Sequence, residues 1–231
     1  MRDTSGMTRI RVLLVEDHVV VREGLRALLT AEKDIQVVGE ARNGREAIQL
    51  VRKLLPDVVV MDIAMPLLNG VEATRQILRL RPSTKVLILS AHSEDEYVEQ
   101  ATSVGAAGYV LKESAAQVLV KAIREIHQGG TYFSASVSKR RGAIHERWIA
   151  HGRKPGKEAA RLTSREQEVL QMIAEGMANK ETAAHLGISI KTVEKHRQHL
   201  KSKLGIHDTA GLTRYALFAG IIEASGPIPI E

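Results

Sequence analysis

The sequence contains no cysteine, which excludes disulfides and thiolate chemistry and suits a reducing cytoplasm. Aromatic residues make up only 3% of the chain, so its cores have to be built from aliphatic side chains. No apolar run approaches the roughly 18 residues that a bilayer crossing needs. The N-terminal "MRDTSGMTRIRV" is charged where a signal peptide would be apolar. No repeat of a length that builds a solenoid is present. These absences leave a cytoplasmic protein without a membrane partner as the expectation.

What is present is enough for two ordinary domains: 231 residues, 44% hydrophobic and 26% charged. The formal net charge of +6 is unevenly placed. Residues 1–133 carry 17 Lys+Arg against 17 Asp+Glu, residues 134–161 eight against two, and residues 162–231 eight against eight. The whole basic excess lies in "SASVSKRRGAIHERWIAHGRKPGKEAAR". A charged, Gly-containing stretch between two periodic regions reads as a linker. The expected organisation is one domain over 10–129, a basic linker over 130–161 and a second domain over 162–224.

The first domain alternates short aliphatic runs with amphipathic segments. "IRVLLVED", "IQVVGEA", "DVVVMD", "KVLILSA" and "GYVLK" read as strands. Val21, Leu25 and Leu28 mark the helix after the first of them, and Leu119, Ile123 and Ile126 the last helix. Near-continuous aliphatic strands separated by helices predict a five-stranded parallel sheet covered on both faces, a doubly wound, flavodoxin-like α/β fold. Ligands in such folds bind at the carboxyl ends of the strands. The polar residues there are Glu16, Asp17, Asp62, Ser90 and Lys112, delivered by four different strands.

Three carboxylates close together repel and raise one another's pKa. A hard divalent cation relieves this, and carboxylates plus waters suit Mg²⁺. Asp62 beside a metal is an unprotonated nucleophile for a phosphoryl group. Lys112 and the metal would neutralise the equatorial phosphoryl oxygens, with Ser90 donating to one of them. Taken singly, each residue has a plainer reading: Asp17 as a helix cap, Lys112 as a solvated charge. Five such residues at equivalent strand ends make the joint reading the better one. "GEARNG" lacks the spacing of a dinucleotide loop and is set aside.

On "VEDH", "VMDIAMP", "ILSAH" and "GYVLK", residues 10–128 resemble the receiver domain of bacterial two-component response regulators. The resemblance implies Asp62 as phospho-acceptor with Lys112 and Ser90 as its chemical partners. It implies Glu16, Asp17, Asp62 and the Ala64 backbone carbonyl as Mg²⁺ ligands, and Ser90 with Tyr109 as a switch pair. Phosphorylation would draw Ser90 inward and let Tyr109 rotate into the space it leaves.

In the second domain, Thr163 with Glu166 three residues on is a capping-box signature. Asn179 and Ser189 are candidate caps for two further helices, which stop at Gly187 and Gly205. Two helices around a tight Gly-containing turn predict a helix-turn-helix, the second helix entering the major groove. On that helix Val193, Leu200 and Leu204 form the inner stripe and His196 its edge. Residues 189–204 hold five basic side chains against one acidic. Candidate DNA contacts are Thr182, Lys191, Thr192, Glu194, Lys195, Arg197, Gln198 and Lys201, long donors for base edges and lysines for phosphates. A charge stripe alone is usually a solvated face; the preceding helix and turn favour DNA.

"LTSREQEVL…NKETAAHLGISIKTVEKHRQHLKSKLG" resembles the LuxR-type helix-turn-helix, so the chain as a whole is similar to NarL/FixJ-type response regulators. The resemblance implies a four-helix all-α domain whose last helix dimerises through Leu212, Tyr215, Ala216 and Ala219. The same residues could instead close the domain's own core. It further implies a sensor histidine kinase as phosphoryl donor, double-stranded promoter DNA as target, and a homodimer when phosphorylated or on DNA. RNA polymerase is a candidate further partner. The expected function is transcriptional regulation without enzymatic turnover, the alternative being a receiver that works unphosphorylated. Three finer expectations follow. Lys139, Arg140, Arg141, Arg153, Lys154 and Lys157 add phosphate attraction that the neutral second domain lacks, the alternative being that they hold the two domains together by meeting acids on the first. Trp148 marks a docked helix in the linker. Ala64 has no polar group to position water, so self-dephosphorylation is slow unless His92 does so.

Overall fold

The computed structural model describes residues 9–134 and 162–223. The chain divides into two compact units, residues 1–155 and 156–231, each considered by itself. The six basic linker residues and Trp148 lie outside the described residues.

The first unit runs β1 (Ile10–Val15), α1 (Val19–Thr30), β2 (Ile35–Ala41), α2 (Gly44–Leu54), β3 (Val58–Asp62), α3 (Gly70–Leu80), β4 (Lys85–Ser90), α4 (Asp95–Ser103), β5 (Gly108–Leu111), α5 (Ala115–His127) and β6 (Tyr132–Phe133). The strands form one parallel sheet in the order β2-β1-β3-β4-β5-β6. Side chains alternate across a strand, and each set finds its own helices. Leu13, Val59, Met61 and Ile88 pack with Ala47, Val51, Ile77 and Val98 of α2, α3 and α4. Val12, Leu14, Val60 and Leu87 pack with Leu25, Leu29, Leu119 and Ile123 of α1 and α5. Each fully buried aliphatic side chain contributes about 1.5–3 kcal/mol, so two continuous aliphatic layers replace the missing aromatics.

Three details depart from the sequence expectation. The sheet has six strands rather than five. Gly129, at φ +91°, follows the end of α5, and the chain then closes the open edge of β5. Tyr132 N donates to Ala107 O at 3.1 Å and Ser134 N to Tyr109 O at 3.3 Å. Residues 132–134 therefore belong to the sheet and not to the linker. The close approach needs Gly108, where a Cβ would lie 2.6 Å from the Tyr132 carbonyl oxygen. Finally, the inner stripe of α1 is Arg22, Leu25 and Leu29, while Val21 is exposed.

The second unit holds α6 (Ser164–Ala174), α7 (Asn179–Leu186), α8 (Ile190–Leu204) and α9 (Thr209–Phe218). The capping box forms as expected: Thr163 Oγ1 accepts from Glu166 N, and Glu166 Oε2 accepts from Thr163 N at 2.8 Å. Ser189 Oγ accepts from Thr192 N at 3.1 Å. Gly187 and Gly205 end α7 and α8 in the left-handed region, at φ 62° and 65°, where other residues are disfavoured. At α7 the cap is Ala178 and Asn179 is already helical. Ala178 offers no side-chain acceptor, so only the reverse bond forms, Ala178 N to Glu181 Oε2 at 2.9 Å. Val169, Leu170, Ile173, Val193, Leu200, Leu212 and Ala216 make the core. Among the described residues no helix is long and apolar enough to cross a membrane.

Candidate functional site

β3 is buried along its whole length and ends in Asp62, which is 3% exposed. Lys112, directly after β5, reaches across the strand ends. Its Nζ lies 2.9 Å from Asp62 Oδ2 and 2.8 Å from Glu16 Oε2. Asp62 Oδ1 accepts from Ile63 N at 2.8 Å. The sheet thus brings Glu16, Asp17, Asp62 and Lys112 together from three strand ends. Burial, then the neighbouring Glu16 carboxylate, push the Asp62 carboxyl up to about 7 against the opposing pull of Lys112. Lys112 is itself raised: burial works against its charge, but the carboxylates of Asp62 and Glu16 prevail.

His18, which the sequence reading passed over, joins this group. Its Nδ1 sits 3.0 Å from Asp17 Oδ1 and 3.1 Å from Glu16 Oε1. The Asp17 carboxylate, then the hydrogen bond to Glu16, raise its pKa. One ligand atom from each of Glu16, Asp17, His18 and Asp62 lies within 4.8 Å of the other three. Glu16 Oε2, Asp17 Oδ1 and Asp62 Oδ2 are buried, and the charged groups that meet them are Lys112 at 2.8 and 2.9 Å and His18 at 3.0 Å. Buried oxygens with lone pairs to spare are costly unless something coordinates them. An oxygen set of this kind fits a hard divalent cation such as Mg²⁺.

Two other residues shape the site and carry no obvious chemical signal in the sequence. Gly70 opens α3 against the backbone of Asp62: a Cβ there would lie 1.9 Å from the Asp62 carbonyl oxygen. Gly70 N also donates to Ile63 O at 2.8 Å, which folds the β3–α3 loop back under the acid. Arg22, 6% exposed, donates from Nη1 to the carbonyls of Glu16 and Asp17. A small residue straight after the Asn69 cap, and an arginine in an inner helical stripe, were the available clues.

Ser90 is buried at the end of β4, its Oγ accepting from His92 N at 3.0 Å. Tyr109 is fully buried, and its hydroxyl donates to His92 O at 2.7 Å. Burial raises the Tyr109 phenol well above its ordinary value. The His92 ring stacks on Tyr97 of α4 at 4.4 Å between centroids, with Nδ1 3.4 Å from Glu94 Oε2. Ala64 is half-buried in the loop after Asp62.

In the second unit, Lys191, Glu194, Lys195 and Gln198 are exposed on α8, while Thr192 and Lys201 are half-buried. One candidate DNA contact needs correction. Thr182 is fully buried on the inner side of α7, its hydroxyl without a partner, so it belongs to the core. Arg197 is half-buried and donates to Asn179 Oδ1 at 3.1 Å and Thr209 Oγ1 at 3.4 Å, bracing α8 against α7 and α9. The proposed dimer face of α9 is also revised. Leu212 and Ala216 are fully buried in the unit's own core, Tyr215 and Ala219 half-buried, and the apolar residues left outside are Leu217 and Phe218, the latter 90% exposed. The inner half of the stripe closes the small domain.

Residues 12–124 match the family model described as "Response regulator receiver domain". Residues 160–216 match that of "Bacterial regulatory proteins, luxR family". The chain is 41% identical over 218 residues to transcriptional regulatory protein MctR of Rhizobium johnstonii, covering 94% of this chain and 98% of MctR. It is 40% identical over 207 residues to transcriptional regulatory protein LiaR of Bacillus subtilis, covering 90% and 96%. Among solved structures it is similar to RcsB from Salmonella enterica serovar Typhimurium bound to promoter rprA in the presence of phosphomimetic BeF3-. There the TM-score is 0.56 at 27% identity, covering 90% of this chain and 98% of that one.

Proposed function

Because the chain belongs to the response regulators that join a receiver domain to a LuxR-type helix-turn-helix domain, we propose that phosphorylation of Asp62 sets its occupancy of promoter DNA. It is a DNA-binding transcriptional regulator of a two-component system and not an enzyme. The single observation that carries the phosphorylation reading is Lys112 bridging Asp62 and Glu16 at 2.9 and 2.8 Å at the strand ends.

A sensor histidine kinase is the donor. Asp62 Oδ2 attacks the phosphohistidine phosphorus; the new O–P bond forms as the P–N bond breaks, and the imidazole leaves with the electron pair. Glu16, Asp17, Asp62 and the Ala64 carbonyl would hold Mg²⁺, which when bound would supply charge neutralisation for the transferring group. Lys112, whose Nζ lies 2.9 Å from Asp62 Oδ2, would add its own positive charge to that neutralisation. Ser90 can donate its hydroxyl proton to a phosphoryl oxygen while its Oγ still accepts from His92 N. Tyr109 is already buried without a phosphoryl group, so a switch through it would shift the balance between this position and an outward one instead of moving it inward for the first time. Downstream, the exposed lysines and Gln198 of α8 read DNA as a homodimer, with RNA polymerase a further partner.

The decisive experiment is Asp62→Asn. With acetyl phosphate and Mg²⁺ the wild type shifts on a phosphate-affinity gel and the variant does not, and the variant no longer responds at the promoter. Normal regulation by Asp62→Asn would favour a receiver that works unphosphorylated. The basic linker is assigned to phosphate attraction: replacing its six named cations by Gln flattens the salt dependence of DNA binding, and an unchanged slope rejects that role. Self-dephosphorylation is slow, since Ala64 is apolar and the His92 ring is stacked on Tyr97. A short-lived phosphoryl group that persists equally briefly in His92→Ala would count against this.

A further inference from the structure

Glu16 and Asp17 are consecutive, and consecutive side chains along a strand point to opposite faces. Both can serve one cation only if the backbone leaves the strand between them. β1 ends at Val15, and Asp17 lies in a bend. The bend leaves two carbonyls in need of donors, and one side chain supplies both: Arg22 Nη1 donates to Glu16 O at 2.7 Å and to Asp17 O at 3.3 Å. The guanidinium is oriented from behind by Glu40, whose Oε2 accepts from Arg22 Nε at 3.2 Å and whose Oε1 lies 3.7 Å from Arg26 Nε. Arg22 takes an inner position of α1 alongside Leu25 and Leu29. A buried cation is tolerated only when paired and bonded, and here most of its bonds go to the backbone of the acid pair.

We propose that Arg22 is a positioning residue for Mg²⁺, holding the backbone bend that turns the Glu16 and Asp17 carboxylates toward Asp62. The inference rests on reading the acid cluster as a magnesium site. Arg22 bonds the backbone and Glu40, and its action is geometric. Its charge works the other way: a cation behind three acids repels Mg²⁺, so if charge were all that mattered, removing it would tighten binding. A lysine keeps that charge but lacks the fixed fork that spans two carbonyls and Glu40.

Mg²⁺ titration calorimetry on the full chain separates these roles, with thermal melts in EDTA as the folding check. Arg22→Lys and Arg22→Gln both raise the Mg²⁺ Kd about 10-fold, the range for loss of an outer partner of a metal ligand. Glu40→Gln, whose wild-type side chain is 33% exposed, raises it less. Wild-type affinity in Arg22→Lys, or tighter binding in Arg22→Gln, overturns the proposal. Should the Arg22 variants fail to fold, Glu40→Gln decides, and an unchanged Kd there overturns it equally. A wild-type chain that binds no Mg²⁺ removes the metal reading itself, and the proposal with it. Wild-type binding with unaffected variants removes only the role of Arg22.

Discussion

The receiver and the helix-turn-helix place their candidate site residues by opposite means. In the receiver, Glu16, Asp62 and Lys112 are far apart in sequence, stand at the ends of different strands and are nearly or fully out of solvent except at Lys112. In the helix-turn-helix, Lys191, Glu194, Lys195 and Gln198 come from successive turns of one helix and are exposed. The first arrangement depends on backbone layers meeting at fixed distances. The second depends only on the rotation of one helix about its axis. Errors in the layers should therefore be costly, and errors on the helix face cheap.

The sharpest test of that contrast compares two glycines near the starts of capped helices. Asn69 Oδ1 accepts from Glu72 N beside Gly70, and Asp208 Oδ1 accepts from Gly211 N. At Gly70 a Cβ would meet the Asp62 carbonyl oxygen at 1.9 Å, whereas at Gly211 the nearest atom is the end of a side chain, Ile206 Cγ2, at 2.7 Å. Backbone cannot give way as a side chain can. Gly70→Ala should destabilise the receiver by about 3 kcal/mol or more and impair Asp62 phosphorylation; Gly211→Ala should cost the second domain about 1 kcal/mol. Chemical denaturation measures both, and equal losses would break the contrast.

The same contrast explains what could be read in advance. Strand ends in a doubly wound sheet are a property of topology, so once the strands were recognised, Glu16, Asp17, Asp62, Ser90 and Lys112 had to share one edge. Nothing in residue type distinguished Thr182 from its exposed neighbours. Only the azimuth of α7, fixed by packing among four helices, shows that it faces inward. The bracing of α8 by Arg197 could not be read either, because its partners, Asn179 and Thr209, lie on other helices. Gly70 and Arg22 were missed for a related reason, as their roles are contacts with backbone, which side-chain chemistry does not announce. The sixth strand is two residues long, too short for periodicity to reveal.

Acidity should separate the two domains by the sign of its effect. In Mg²⁺-free buffer Asp62 is raised from 3.8 to about 7 by burial and Glu16. A carboxyl raised in the folded state gives stability that is full below its unfolded value and lost as pH climbs through the folded one. Glu166 is the reverse. Burial opposes its charge, but Lys203 at 2.6 Å and the Thr163 backbone N–H at 2.8 Å hold it below its ordinary 4.5. Its contribution is present above that value and lost as pH falls through the lowered one. Melting in EDTA should show the receiver transition falling in temperature from about pH 4 to pH 8 and the helical one falling only below about pH 4.5. Asp62→Asn flattens the first trend. Glu166→Gln costs the helical domain about 1.5–3 kcal/mol near neutrality and removes much of the second. Transitions that move together with pH would deny the difference.

The smallest effects distinguish face from core within the helix-turn-helix itself. Lys195 is exposed on α8, so Lys195→Gln should weaken binding to any duplex by a similar factor and reduce the salt slope by about 1, the loss of one phosphate contact. Thr182 is buried one helix away with an unpartnered hydroxyl. Replacing it by valine keeps the shape and removes a polar group that gains nothing by being inside. Thr182→Val should therefore leave DNA affinity and salt slope unchanged while stability holds or rises by up to about 1 kcal/mol. A tenfold loss of DNA binding in a fully folded Thr182→Val would mean that α7 turns outward on the duplex, returning this threonine to the interface from which its burial removes it.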